Sequence, residues 1–265
     1  MFQPSLADLL RADKTVCISM RSEQDRWEDL QYDFMAKGVG QVDILEAIDG
    51  RSLAKNADVP VGVWQRYLLK NNLTRTNHEQ FGNWGAVGCY LSHIEAWKLA
   101  LLSGVDRIMV LEDDVHFCDR LLDKFEVCLP ELPDDFDVLI LDPLRYETIE
   151  PRKKTFVKIK KFWGTHAYVI SARVLPKLLN MAFPVEVHID HFIGMAADIL
   201  NLKLFVLDAN ICEQTQHSSS IASDCLYCDP PRYTLVAWIV CLSTVFVMFI
   251  AARVSNNFSL RMAAP

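Results

Sequence analysis

No secretory signal opens this sequence: Asp8, Arg11 and Asp13 stand where an apolar run would have to lie. Internal repeats and low-complexity tracts are missing too, which argues against a solenoid or a largely disordered chain. Basic residues are in deficit, 27 against 34 acidic ones, for a formal net charge of −7. A general nucleic-acid binder would show the opposite balance. A nucleotide substrate stays open, because a metal ion can bridge carboxylates to phosphates. The eight cysteines are scattered, several in apolar segments, and make no disulfide framework. Buried free thiols are expected instead. The lone C-x-x-C of Cys225 and Cys228 lacks the second pair that would make a zinc site.

What the chain does have is core-forming material. Hydrophobic residues make up 51% of its 265 positions, enough for one sizeable α/β domain or two small ones. Lys14 to Met20 is expected to be a buried strand, Asp25 to Lys37 a helix and Val42 to Ala47 a second strand, with Asp49-Gly50 as a turn. That opening points to a parallel, nucleotide-binding sheet. A glycine-rich loop, Gly82 to Gly88, leads into an expected helix at Cys89 to Ser103. Further strands are expected at Arg107 to Leu111, Asp137 to Leu141, Thr155 to Lys161, Ala167 to Ser171 and Leu204 to Leu207. Helices are expected at Asp119 to Leu129, Arg173 to Met181 and Asp190 to Leu200. The basic strand around Lys158, Lys160 and Lys161 is either a solvated face or a contact for anionic headgroups or an acidic acceptor.

The end of the chain differs in character. Tyr233 to Ala252 contains no charged residue and is bounded by Arg232 and Arg253. Its length matches the ~20 residues that cross a bilayer. The expected organisation is a globular domain at 1–224, a linker at 225–232 containing Pro230-Pro231, a transmembrane helix at 233–252 and a short tail at 253–265. Without a signal, the expected localisation is a single-pass, C-terminally anchored membrane protein with its globular domain on the cytosolic side.

The strongest chemical feature is RIMVLEDDV, Arg107 to Val115. A hydrophobic strand here delivers Glu112, Asp113 and Asp114 to its C-terminal end, where open α/β sheets bind ligands. Adjacent acids repel, and a divalent cation with a substrate diphosphate would supply the counter-charge. A solvated acidic turn is the plain alternative. Ser92 and His93, near a helix start, either meet a phosphate or sugar hydroxyl or serve as a cap and a packed ring. Trp163-Gly164-Thr165-His166 offers an indole for stacking on a sugar or base, or simply a turn and core aromatics. Asp190 is a carboxylate at a helix start, either functional or an N-cap.

Four stretches together resemble glycosyltransferase family 25, the family of bacterial lipooligosaccharide and animal procollagen galactosyltransferases. They are TVCISMRSEQDRW (Thr15 to Trp27), GAVGCYLSHIEAW (Gly85 to Trp97), LEDDV (Leu111 to Val115) and GTHAYVIS (Gly164 to Ser171), with Pro184 to His191 downstream. The resemblance implies a fold of the GT-A type, a mixed central sheet flanked by helices. It implies an inverting, metal-dependent hexosyl transfer from a UDP-sugar, UDP-galactose or UDP-glucose, to an acceptor hydroxyl on a glycan, lipid-linked saccharide or protein. On that template Arg21 and Arg26 flank the nucleotide. Glu112, Asp113 and Asp114 supply ligands for Mn2+ or Mg2+, with His217 as a further metal ligand or phosphate contact. Asp190 is the expected base, and His93, Asp113, Trp163 and Gln214 contribute to the nucleotide-sugar pocket. Two rival readings are a membrane-tethered, non-catalytic glycan-binding module and a metal-dependent phosphotransferase or hydrolase. The latter would need a second cluster of acids or histidines.

Overall fold

The computed structural model describes residues 3–20, 24–54, 56, 58–73, 79–149 and 154–215. Apolar β-runs supply ten strands among these residues: β1 (Lys14–Ser19), β2 (Asp43–Glu46), β3 (Arg107–Glu112), β4 (Val115–Phe117), β5 (Val138–Leu141), β6 (Arg145–Thr148), β7 (Phe156–Trp163), β8 (Ala167–Ser171), β9 (Leu204–Leu207) and β10 (Cys212–Gln214). Eight form one sheet in the order β2-β1-β3-β8-β5-β9-β7-β6, while β4 and β10 make a small antiparallel pair. β1 runs parallel to both β2 and β3, β5 runs parallel to β9, and β8 lies antiparallel between β3 and β5.

Strand side chains alternate between two cores, as the two-residue period requires. Ile108 and Val110 face one side, with Tyr90, Ile94 and Trp97 of α5 (Trp84–Ser103), Leu178 of α7 (Leu175–Met181) and Phe192 of α8 (Ile189–Leu200). Met109 and Leu111 face the other, with Phe34 of α2 (Gln24–Lys37) and Phe125 of α6 (Leu121–Cys128). The short helices α1 (Leu6–Leu9) and α4 (Val63–Lys70) add Leu6 to the second core and Leu69 to the first. Helices on both faces explain why Ile108–Leu111 of β3 and all of β5 are apolar rather than alternating. The five cysteines among the described residues are all free.

Two local expectations change. The glycine-rich segment is not a loop: α5 starts at Trp84, and the Asn83 side chain caps it by accepting from the Ala86 amide at 3.1 Å. The glycines serve a close approach instead. A Cβ on Gly88 would lie 2.4 Å from the Ile48 carbonyl oxygen, and one on Gly50 would lie 1.8 Å from that of Trp84. Asp49-Gly50 is likewise not an isolated turn. Asp49 is the N-cap of α3 (Gly50–Leu53), which packs on α5.

The expected membrane helix requires correction. No helix among the described residues is long and apolar enough to cross a membrane, and residues 233–252 lie outside the described residues. The described residues therefore form a mixed α/β sheet domain with no transmembrane helix among them, and the anchored, single-pass localisation is not carried further.

Candidate active site

The chain leaves β1 toward β2 on one side and pairs β1 with β3 on the other, so a crevice opens beyond the C-terminal ends of β1 and β3. Crevices at such reversals of strand order are where open α/β sheets take their ligands. The acidic motif sits there. Glu112 ends β3 opposite Ile18 of β1, and the start of β8 lies on its other side, with Ala167 opposite Leu111.

The three acids diverge. Asp113 turns to β1, where the Ser19 hydroxyl donates to its Oδ2 at 2.9 Å. Asp114 turns to β10, where Gln214 Nε2 donates to its Oδ2 at 2.7 Å and the Thr215 amide donates to its carbonyl at 2.8 Å. Glu112 turns to α5: its Oε1 accepts from the Thr165 hydroxyl at 2.5 Å and lies 3.2 Å from His93 Nε2. Burial pushes the Glu112 carboxyl up, but His93 first, then Thr165 and His166, act against it and together hold the group below its ordinary value.

Asp190 reaches the same region from the first turn of α8. Its Oδ2 accepts from the Gly164 amide at 3.1 Å and its Oδ1 from the His191 amide at 2.7 Å. A carboxylate has about four acceptor positions, so further lone pairs remain for a substrate hydroxyl. Beside it a pocket of about 200 Å3 runs between α8 and β7, lined in part by Lys160, Lys161, His191 and Gly194. The Cys89 thiol feels the charge of the same four acids. It is pushed well above its ordinary value by burial and then by the charges of Glu112, Asp190, Asp114 and Asp113.

As hard oxygen donors, the carboxylates at this strand end suit a divalent cation such as Mn2+ or Mg2+. Another group invites the same question. Among the described residues, Cys89, His93 and Glu112 place one ligand-type atom each within 4.8 Å of one another. Its soft sulfur, and the contact already tying His93 to Glu112, make it a poor match for those ions. Glu112 is thus engaged on the α5 side, and the residues best placed to hold a hard cation are Asp113 and Asp114. The second metal cluster that a two-metal phosphotransferase would need does not occur among the described residues.

Other expected site residues land differently. His93 is fully buried, so it stands behind Glu112 rather than lining a ligand pocket. Ser92 is buried too, its hydroxyl accepting from the Ile48 amide and donating to the Gly88 carbonyl. Trp163 is half-buried, with the Arg145 guanidinium over its ring at 4.9 Å and the His191 ring edge-on at 5.8 Å between centroids. Gln214 does reach the site, through Asp114. Arg21, His217 and the side chain of Arg26 lie outside the described residues. Ser19, Thr165 and Tyr168 were not singled out from the sequence as site residues. They are 94, 53 and 75 positions away from the groups they bond, and no local pattern marks such pairs.

The family described as glycosyltransferase family 25 (LPS biosynthesis protein) matches residues 12–193. Human procollagen galactosyltransferase 2 is 25% identical over 191 residues, covering 67% of this chain and 29% of that protein. A putative glycosyltransferase of Haemophilus influenzae is 27% identical over 141 residues, 49% of each chain. The mouse inactive glycosyltransferase 25 family member 3 is 28% identical over 149 residues, 51% of this chain and 24% of that protein. The chain thus spans less than a third of the length of the procollagen galactosyltransferase it matches.

Proposed function

Because the chain belongs to glycosyltransferase family 25, we propose that it transfers a hexose, galactose or glucose, from a UDP-sugar to an acceptor hydroxyl on a glycan, lipid-linked saccharide or protein. The observation that carries this reading is that adjacent residues, Gly164 and Thr165, bond Asp190 and Glu112, which brings Asp190 toward the acidic motif at the C-terminal end of β3. Asp113 and Asp114 would hold Mn2+ or Mg2+, and the bound ion would supply charge neutralisation at the diphosphate. Ser19 and Gln214 fix the two carboxylates before the donor arrives, so that little reorganisation is needed on binding. By the family resemblance, Arg21 and Arg26 would flank the nucleotide and His217 would add a metal or phosphate contact.

Asp190 accepts the proton of the acceptor hydroxyl as its oxygen attacks the anomeric carbon from the face opposite UDP. One bond forms to the acceptor, one breaks to the leaving phosphate, and the anomeric configuration inverts. The two main-chain amides on Asp190 hold its remaining lone pairs in place for that transfer. A non-catalytic member is the second reading, favoured by the relatives described as inactive.

The test follows UDP release by the full chain from a panel of UDP-hexoses, with manganese and with chelator. Chelator-sensitive release from one donor is expected. A folded protein that binds UDP and releases none from any donor, with a panel of glycan acceptors present, would decide for the non-catalytic reading.

A further inference from the structure

Behind Glu112 lies a chain of buried polar groups with one consistent set of proton positions. The Trp97 indole N–H can only donate, so the Tyr168 hydroxyl oxygen accepts it, at 3.0 Å. The hydroxyl proton of Tyr168 then points to His93 Nδ1, also at 3.0 Å. A ring that accepts at Nδ1 is neutral and carries its proton on Nε2. That nitrogen faces Glu112 Oε1 at 3.2 Å. Trp97, Tyr168 and His93 are all fully buried, so bulk water offers no alternative partner. Burial also pushes the Tyr168 phenol well above its ordinary value, which keeps its hydroxyl a donor. The reverse arrangement, with Nδ1–H donating to Tyr168, would leave the phenolic proton without an acceptor in this chain, a costly defect in an interior.

We propose that His93 is a positioning residue: locked by Tyr168 as the neutral Nε2–H tautomer, it donates to Glu112 and holds that carboxylate on the α5 side, leaving the cation to Asp113 and Asp114. The inference rests on the reading that those two aspartates bind the cation. Its physical purpose follows from the sequence. Three consecutive acids at a strand end compete for one ion, and Thr165 and His93 together remove the first from that competition. Trp97 and Tyr168 are the means by which the core sets the proton on a ring that never meets solvent.

Two measurements on the full chain test this. Nitrogen-15 NMR of histidine-labelled protein, with and without Tyr168→Phe, reads the tautomer directly. A bare Nδ1 and a protonated Nε2 are expected for His93 in the wild type, and a mixture in Tyr168→Phe. Manganese affinity, read by electron paramagnetic resonance with the metal alone, compares His93→Gln with His93→Leu. Gln retains an amide donor for Glu112 and should stay near the wild-type affinity. Leu frees the carboxylate to join the ion and should tighten binding by roughly tenfold, the scale of one hydrogen bond to a charged group. An Nδ1–H or doubly protonated His93 in the wild type would overturn the proposal. So would manganese affinities unchanged from the wild type in both variants. No manganese binding by the wild type at all would instead overturn the cation reading beneath it.

Discussion

The two faces of the central sheet use the same strands differently. On the α2/α6 face, Met109, Leu111, Phe117 and Phe125 pack with few polar atoms among them. On the α5/α8 face, the same strands send Tyr168 and Glu112 into a line of buried hydrogen bonds that runs from Trp97 to the edge of the crevice. Both faces are equally closed to solvent. What separates them is that the second carries a line of hydrogen bonds from the core toward the site, whereas the half-buried carboxylate on the first, Asp142, ties down the local chain at residues 209–212. Stability and chemistry should therefore come apart when the faces are perturbed separately.

The sharpest break comes at the site edge. Replacing Asp113 and Asp114 together with alanine should lower UDP release by roughly ten-thousandfold, several kcal/mol of lost charge stabilisation. The thermal midpoint should hold, because neither residue belongs to either core. Phe125→Ala should do the reverse. It should cost about 3–5 kcal/mol in denaturant unfolding, through the cavity left in a fully buried position. Turnover per folded molecule should be unchanged. A fall in turnover matching the loss of stability would show that the α2/α6 face is not only packing. Asp190→Asn should lower transfer by roughly a hundredfold or more while UDP binding persists. Near-normal turnover would remove Asp190 from its role.

The smallest expected effect reads the acids themselves. Burial and the nearby carboxylates hold the Cys89 thiol protonated above its ordinary range. With less thiolate at pH 8, iodoacetamide should modify it more slowly than a free cysteine. Manganese, by offsetting the carboxylate charge, should raise the labelling rate. Mass spectrometry of the peptide containing Cys89 would show a rate indifferent to manganese if the acids do not share one cation.

Much of this frame was legible in the residues. Arg107 to Leu111, an apolar run stopping at three acids, announced β3 and put those acids at its C-terminal end, because burial on two faces leaves a continuous hydrophobic stretch. Asp190 before an apolar helix was legible as a helix start, and its meeting with the motif followed only from the resemblance. Other parts were not visible. Gly85 and Gly88 suggested a loop because glycine disfavours helix, yet close contact with Ile48 and Gly50 overrode that propensity. β4, β6 and β10 are three or four residues each, too short for a period to register. His93 looked like a ligand contact because its partners lie on β3 and β8, far along the chain. Only the folded arrangement shows that it supports Glu112 from behind.

The account turns on Asp113 and Asp114 as the cation and diphosphate site. Calorimetric titration of UDP into the full chain tests that most directly, with manganese and with chelator, for the wild type, the Asp113→Ala/Asp114→Ala variant and Asp190→Asn. The account predicts manganese-dependent binding that is lost in the double variant and kept in Asp190→Asn. UDP binding of equal strength with chelator, or in the double variant, would contradict it.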